Sequence, residues 1–381
     1  MQHEAHFAME TKEIIIALGG GGDVITATAR ASSSCSVVAS LSWEKMIVDP
    51  FPGPRTANDL TNIQKLGDFS GIVTEYTAFP SGALTTQAQL FKLFPDVPQV
   101  ILDPWKGVQG LIKGLEDIQR EFGVSSLVGI DVGGDLLASA PSPILSSPMI
   151  DAMLTSATWN IQKNASIEIY GLGLDGEIDD AEIWSTVNDH LNNGLIEDLM
   201  TLSLREVHKL VELIDRGELA SEVSSLFCRA HFGMRGTVLM RDGGLRVKVG
   251  PESVVGYKYA VDKIVSSVNP LCKLVSDTHS LEEASQKLLT IGYRTELEDQ
   301  ILLADSFPKK NNAELDVRSA LHDALIKLRT KSKYSDVDYV SDRYLAKMVN
   351  APVGQVRMVL GQNIEDWNIQ LFHPFVRIRP E

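Results

Sequence analysis

A continuous apolar run that ends on four glycines constrains this chain more than any other feature. Ile14, Ile15, Ile16, Ala17 and Leu18 show no polar alternation, the pattern of a strand buried on both faces in a parallel sheet. Gly19, Gly20, Gly21 and Gly22 follow, then Asp23 and the apolar Val24, Ile25, Ala27 and Ala29 of a helix. Glycine permits positive φ and close backbone approach, so loop N–H groups and the helix N-terminus would converge on one point that favours an anion. A phosphate or carboxylate is the expected guest; the alternative is a tight turn whose helix Asp23 caps. Two familiar nucleotide sites do not fit. G-x-G-x-x-G counted from Gly19 arrives at Val24 and from Gly20 at Ile25, which disfavours NAD(P). Asp23 and Val24 stand where a P-loop needs its Lys.

Further apolar strands are expected at Ser36–Leu41, Gly71–Tyr76, Gln99–Leu102, Ser125–Ile130 and Ser166–Tyr170. Between them, Val108, Leu111, Ile112, Leu115, Ile118 and Phe122 recur at helical spacing, giving a crossover helix over Gly107–Phe122 stopped by Gly123. Alternating strands and helices of this kind make an α/β fold with a mainly parallel sheet flanked by helices. Ligands of such sheets collect where strands end. Acids recur there: Glu44 after the second strand, in the position of a ribose-binding acid, Asp103 after the fourth, and Asp131 with Gly133, Gly134 and Asp135 after the fifth. Asp175 lies in a third glycine-acid turn that runs to Glu177. The Pro-rich Asp49–Arg55 loop belongs near the same edge.

If the loops face one crevice, Asp23, Asp131 and Asp135 converge. Two carboxylates about 4 Å apart repel by roughly 4 kcal/mol at an effective dielectric near 20, so such a cluster needs a proton, an ammonium or a divalent cation. Magnesium held by Asp131 and Asp135 and bridging to a phosphate on Gly19–Gly22 is the simplest partner. Asp131 and Asp135 are then the catalytic candidates, for metal-assisted or acid-base chemistry. The alternative is that Asp135 caps a helix and Asp131 fixes its loop.

The GGGGDV loop, the DVGGD loop after a strand, the helix start around Ser147, Pro148 and Asp151, and the later SLEEA and GYRTE segments together carry a resemblance. They resemble a widespread archaeal and bacterial family built on a domain of unknown function, over most of residues 12–300. The resemblance implies a Rossmann-like α/β fold with one shared site at Gly19–Asp23 and Asp131–Asp135. It brings no reaction with it.

Beyond this the signals thin. Ala181–Leu213 reads as helical, with His190 and His208 as surface or core residues. Thr237–Met240 and Leu245–Val249, joined by Arg241, Asp242, Gly243 and Gly244, read as a hairpin. His231, Arg235 and Arg241 read more readily as a solvated basic patch than as ligand contacts. Leu271–Val275 reads as a strand, and Ser280 with Glu283 as a capping box for a helix through Leu289.

Composition shifts near Phe307. Residues 309–381 carry 12 basic and 9 acidic side chains against 23 and 41 in the rest. Val317, Leu321, Leu325 and Leu328 define one helix, and Asp342–Leu360 matches helix-turn-helix spacing with Ala346 and Asn350 in place. With strands at Trp367–Phe372 and Phe375–Ile378, this segment resembles winged-helix domains, a small α+β unit whose recognition helix would expose Gln355 and Arg357. The modest charge favours dimer contacts over DNA. The expected organisation is an arm over 1–11, a Rossmann-like domain over 12–305 and a winged-helix-like domain over 309–381.

The net charge of −15 argues against a chiefly nucleic-acid or membrane-surface protein. Cys35, Cys228 and Cys272 are three in number, without metal-ligand spacing, which fits a reducing compartment. No run approaches about 18 apolar residues, so the expected address is the cytoplasm. The leading expectation is an enzyme binding a phosphorylated or nucleotide-like small molecule with magnesium. The rival is a ligand sensor with a C-terminal DNA-binding or dimerisation unit.

Overall fold

The structure is a computed structural model that describes residues 13–379 apart from 33–35, 45, 47–48, 139, 220 and 307–315. The arm expected over residues 1–11 lies outside the described residues. Two sheets organise the chain. The strands are β1 (Ile14–Ala17), β2 (Val37–Leu41), β3 (Gln64–Lys65), β4 (Ser70–Ile72), β5 (Gln99–Leu102), β6 (Leu127–Val132), β7 (Ser166–Tyr170), β8 (Ile196–Met200), β9 (Gly236–Met240), β10 (Leu245–Val249), β11 (Gly256–Ala260), β12 (Val337–Ser341), β13 (Gln370–Phe372) and β14 (Phe375–Arg377). The large sheet runs β3-β4-β5-β2-β1-β6-β7-β11-β8 and the small one β10-β9-β12-β14-β13.

Within the large sheet β5, β2, β1, β6 and β7 are mutually parallel, and antiparallel strands extend both edges. The first helix, α1 (Gly21–Ser32), packs with Ile15 and Ala17 on one face. On the other face Ile14, Ile16 and Leu18 pack with α3 (Gly107–Phe122) and α4 (Pro148–Ile161), while α2 (Thr86–Leu93) follows the β4 turn. This two-sided cover explains why β1 is apolar throughout and β6 is apolar up to Asp131, since neither face meets water. Winding reverses between β1 and β6, so the loops after these two strands diverge around a crevice at their C-terminal ends.

Several expected elements change. Leu271–Val275 is a helix; a five-residue apolar run carries no periodicity able to separate the two forms. The helical reading of Ala181–Leu213 is interrupted by β8, whose Glu197, Asp198 and Leu199 are exposed on the sheet edge, a polarity suited to an edge strand. The strand expected over Gly71–Tyr76 shortens to β4, because Thr74 and Thr77 tie the following residues into a turn. The hairpin β9–β10 forms as expected, yet it belongs to the small sheet, where β9 runs parallel to β12. Around that sheet lie the helices Val317–Thr330, Asp342–Val349 and Val353–Gln362, with Asn350 left-handed at the turn (φ 52°). Among the described residues no helix is long and apolar enough to cross a membrane.

Candidate functional site

The crevice at the C-terminal strand ends gathers carboxylates. Asp23 lies in the first turn of α1 and turns back onto the loop: a Cβ on Gly19 would fall 2.0 Å from its Oδ2 and 3.1 Å from Asp151 Oδ1. Asp131 is still within β6, and Gly133 and Gly134 follow with φ of 121° and 97°. A Cβ on Gly133 would fall 2.4 Å from Asp175 Oδ2, so only glycine allows the two loops to meet there. The N–H of Gly173 closes the contact on the carbonyl of Gly133 at 2.7 Å. Asp135 Oδ2 accepts from Ser147 Oγ at 2.7 Å, and Asp175 Oδ1 from the Glu177 N–H at 2.9 Å. Glu177 Oε2 accepts from the Ser146 N–H at 2.5 Å, and Glu296 Oε1 from the Ile150 N–H at 3.0 Å.

Burial raises the pKa of Asp23, Asp131, Asp151 and Asp175 well above the ordinary carboxylate range, and their like-charged neighbours raise them further. For Asp23 the N–H groups of Gly19 and Val132 pull the other way. Burial and then Glu177 push Asp135 to about 6, against hydrogen bonds from Ser147 and Asp151. Burial pushes Glu296 to about 8. No donor reaches Asp131 Oδ2, either oxygen of Asp151, Asp175 Oδ2 or Glu296 Oε2, although all are shut off from solvent. The contact between Asp135 and Asp151 is favourable only when one of them holds a proton. Among the described residues Arg241 is the only basic side chain paired with the cluster, through Glu177 at 2.5 Å. The expectation of a solvated patch fails for this residue: the hairpin turn aims Arg241 inward, where buried carboxylates outweigh the cost of dehydrating one guanidinium.

The glycine loop is itself ringed by oxygens. A Cβ on Gly20 would meet the Trp43 carbonyl at 3.4 Å, one on Gly21 the Glu44 Oε2 at 3.0 Å, and one on Gly22 the Ser221 Oγ at 3.0 Å. Glu44, whose Oε1 also accepts from the Thr86 N–H at 3.4 Å, therefore places a negative charge of the protein at the N-terminus of α1. Among the described residues no three His, Cys, Asp or Glu side chains form a group disposed to hold a metal ion.

Of the residues singled out in the sequence, Gly19–Gly22, Asp23, Glu44, Asp131, Gly133, Gly134, Asp135 and Asp175 line this crevice. Asp103 does not join them; its Oδ1 accepts the Trp105 N–H at 2.8 Å and fixes the turn into α3. Asp151, Glu177, Glu296 and Arg241 complete the cluster; all four stand in segments noted in the sequence, but none is among the expected site residues, and Arg241 reads there more readily as part of a solvated patch. Asp151 has a sequence signal, an acid within a helix buried from Pro148 to Thr158. Glu296 ends the GYRTE segment that carries the family resemblance, but nothing local marks its role, since it reaches the N-terminus of α4 from 146 residues away. Gln355 is exposed, whereas Arg357 Nε binds Asp342 Oδ2 at 2.5 Å.

Comparison with known families matches residues 14–303 to a protein of unknown function, DUF1152. The chain belongs to this family. The match spans the large sheet, the hairpin and every carboxylate of the cluster. No curated protein and no solved structure matches the chain.

Proposed function

We propose that this is an intracellular Rossmann-like enzyme that binds a small molecule in the acidic crevice between β1 and β6. The parallel order β5-β2-β1-β6-β7 supports that fold, since it is the winding of a doubly wound sheet with its switch point at this crevice. The observation that carries the reading is the set of buried carboxylate oxygens without donors on Asp131, Asp151 and Asp175. Buried acceptors left open cost free energy, of the order of 1–3 kcal/mol each or more when charged, and a ligand rich in N–H and O–H groups, or a cation, would supply what is missing. A phosphorylated or nucleotide-like ligand fits Gly19–Gly22 only if its charge is offset, because Glu44 already stands there; magnesium held by Asp131 and Asp135 would do this. Acid-base work suits the pair Asp135 and Asp151. With Asp135 near 6 and Asp151 held protonated beside it, one accepts and the other donates a proton near neutral pH.

The test is a thermal-shift screen against nucleotides, sugar phosphates, amino sugars and polyamines, each with and without magnesium, repeated on Asp131→Asn. A ligand at 100 times its Kd adds about 2.7 kcal/mol. A stabilising ligand whose effect disappears in the variant supports the site, and silence across the panel overturns it.

A second reading, a sensor with a winged-helix-like unit, is favoured by the helix, strand, helix-turn-helix and hairpin order of residues 317–377. Arg343 and Arg357 of that unit turn inward to Glu222 and Asp342, which favours a protein contact over DNA. Duplex binding that weakens steeply with salt would reverse that preference.

A further inference from the structure

Two partly buried arginines in this protein behave differently. Arg30 meets its acid fully, with Nε and Nη2 on Glu168 and Nη2 also 3.2 Å from Glu13. Arg241 does not. Its Nη1 reaches Glu177 Oε1 and, at 3.0 Å, Ser146 Oγ, while its buried Nε has no partner. It also sits at the hairpin turn with φ of 57°, a conformation that side-chain-bearing residues rarely adopt. The guanidinium is therefore only partly paired, and releasing it is favourable only where another cation takes its place beside Glu177.

Its backbone leads elsewhere. The Arg241 N–H donates to Glu222 Oε1 at 3.1 Å; Glu222 Oε2 accepts from Arg343 Nη1 at 3.2 Å, and Arg343 Nη2 lies 3.2 Å from Asp242. Arg343 is in the first turn of the helix Asp342–Val349, whose Asp342 holds Arg357 of the next helix. Alternating charges thus run from the crevice carboxylates to the helix-turn-helix of the small-sheet unit.

We propose that Arg241 holds the place of the ligand's cationic group, and that a cation entering the cluster displaces it and loosens the hairpin from Glu222 and Arg343. This rests on the reading that the crevice takes a cation or ammonium. The physical basis is competition: a second cation within a few ångströms of the guanidinium repels it strongly where water is excluded, while Asp131, Asp151 and Asp175 still offer open oxygens to the newcomer. Binding at the site is thereby converted into a change at the C-terminal unit.

Calorimetric titration of the full chain with magnesium, and separately with spermidine, tests this on wild type, Arg241→Gln and Arg241→Lys. Removing the competitor should tighten the probe at least tenfold in Arg241→Gln, and Arg241→Lys should return it toward wild type. Hydrogen exchange in wild type should quicken over 241–244 and 342–349 when the probe saturates, a readout that needs no variant. Equal or weaker binding in Arg241→Gln, or unchanged exchange at 342–349 in saturated wild type, overturns the displacement while the cation reading stands. If neither probe binds any of the three proteins, the cation reading itself falls.

Discussion

The two ends of the large sheet handle buried acid in opposite ways. Toward the strand N-termini, Glu168 of β7 is 1% exposed and takes Arg30 together with the Tyr170 hydroxyl at 2.8 Å. Toward the C-termini, Asp131 of β6 is equally buried, yet Oδ2 has no donor and its neighbours are Asp23, Asp135 and Asp175. Burial is therefore the same at both ends, and what differs is whether the protein supplies the partner. A closed network serves the fold; an open one, which lowers stability, is retained where something else is meant to complete it.

The contrast can be broken most sharply at the closed end. Glu168→Ala removes the carboxylate shared by Arg30 Nε and the Tyr170 hydroxyl, leaving Arg30 to Glu13, and should cost about 3 kcal/mol in urea unfolding, toward the low end for a broken buried pair because Arg30 is 19% exposed. A loss too small to measure would mean that the closed network contributes no stability. Next in size is Gly19→Ala. Its methyl would overlap Asp23 Oδ2, forcing that carboxylate off the Gly19 and Val132 N–H groups, with a loss of about 2 kcal/mol and of any ligand-induced thermal shift. An alanine variant that keeps both would show that Asp23 is free to move.

At the open end the sign should reverse. Asp131→Asn replaces a carboxyl whose ionisation burial and its acidic neighbours oppose with a neutral amide and should raise stability by about 1 kcal/mol at alkaline pH, while abolishing the response to ligand. The same logic sets the pH dependence. Carboxyls whose folded pKa is raised stabilise fully below their unfolded values near 4, and that contribution is lost as pH rises through about 6 for Asp135 and about 8 for Glu296. The melting temperature should fall across this window, and Glu296→Gln should flatten its upper half. A melting temperature flat from pH 5 to 8 in wild type would contradict the open cluster. The smallest loss is expected for Gln300→Ala, which frees the Trp43 indole and the Gly53 N–H, each bonded at 2.8 Å. The cost should be about 1 kcal/mol, visible as a red shift of tryptophan emission.

The parallel strands and α3 could be read from the sequence because each is long enough, or buried on enough sides, to stamp its own period on the residues. Val108 through Phe122 is such a case. The strand β11, GYKYA, and the edge strand β8, IEDLM, could not, since half or more of each faces solvent or a partner far away in the chain. The same limit governed the site. Asp23, Asp131, Asp135 and Asp175 flank glycines at strand ends and announce themselves locally. Glu296, at the end of GYRTE, and Arg241, in the hairpin turn, sit in noticeable segments whose sequence does not reveal their role; what makes them part of the cluster is the packing of the helix Glu296–Ser306 on α4 and the aim of one hairpin turn.

That hairpin has a further consequence for how the chain can be divided. Strand β9 lies inside the span matched to the family, yet its neighbours in the small sheet are β10 and, in parallel, β12 from the C-terminal segment. Cutting the chain between residues 307 and 315 would strip a partner from each piece and leave two open strand edges, which invite self-pairing. The C-terminal unit is thus stitched into the body of the protein by its backbone, and neither part keeps its full complement of paired strands without the other.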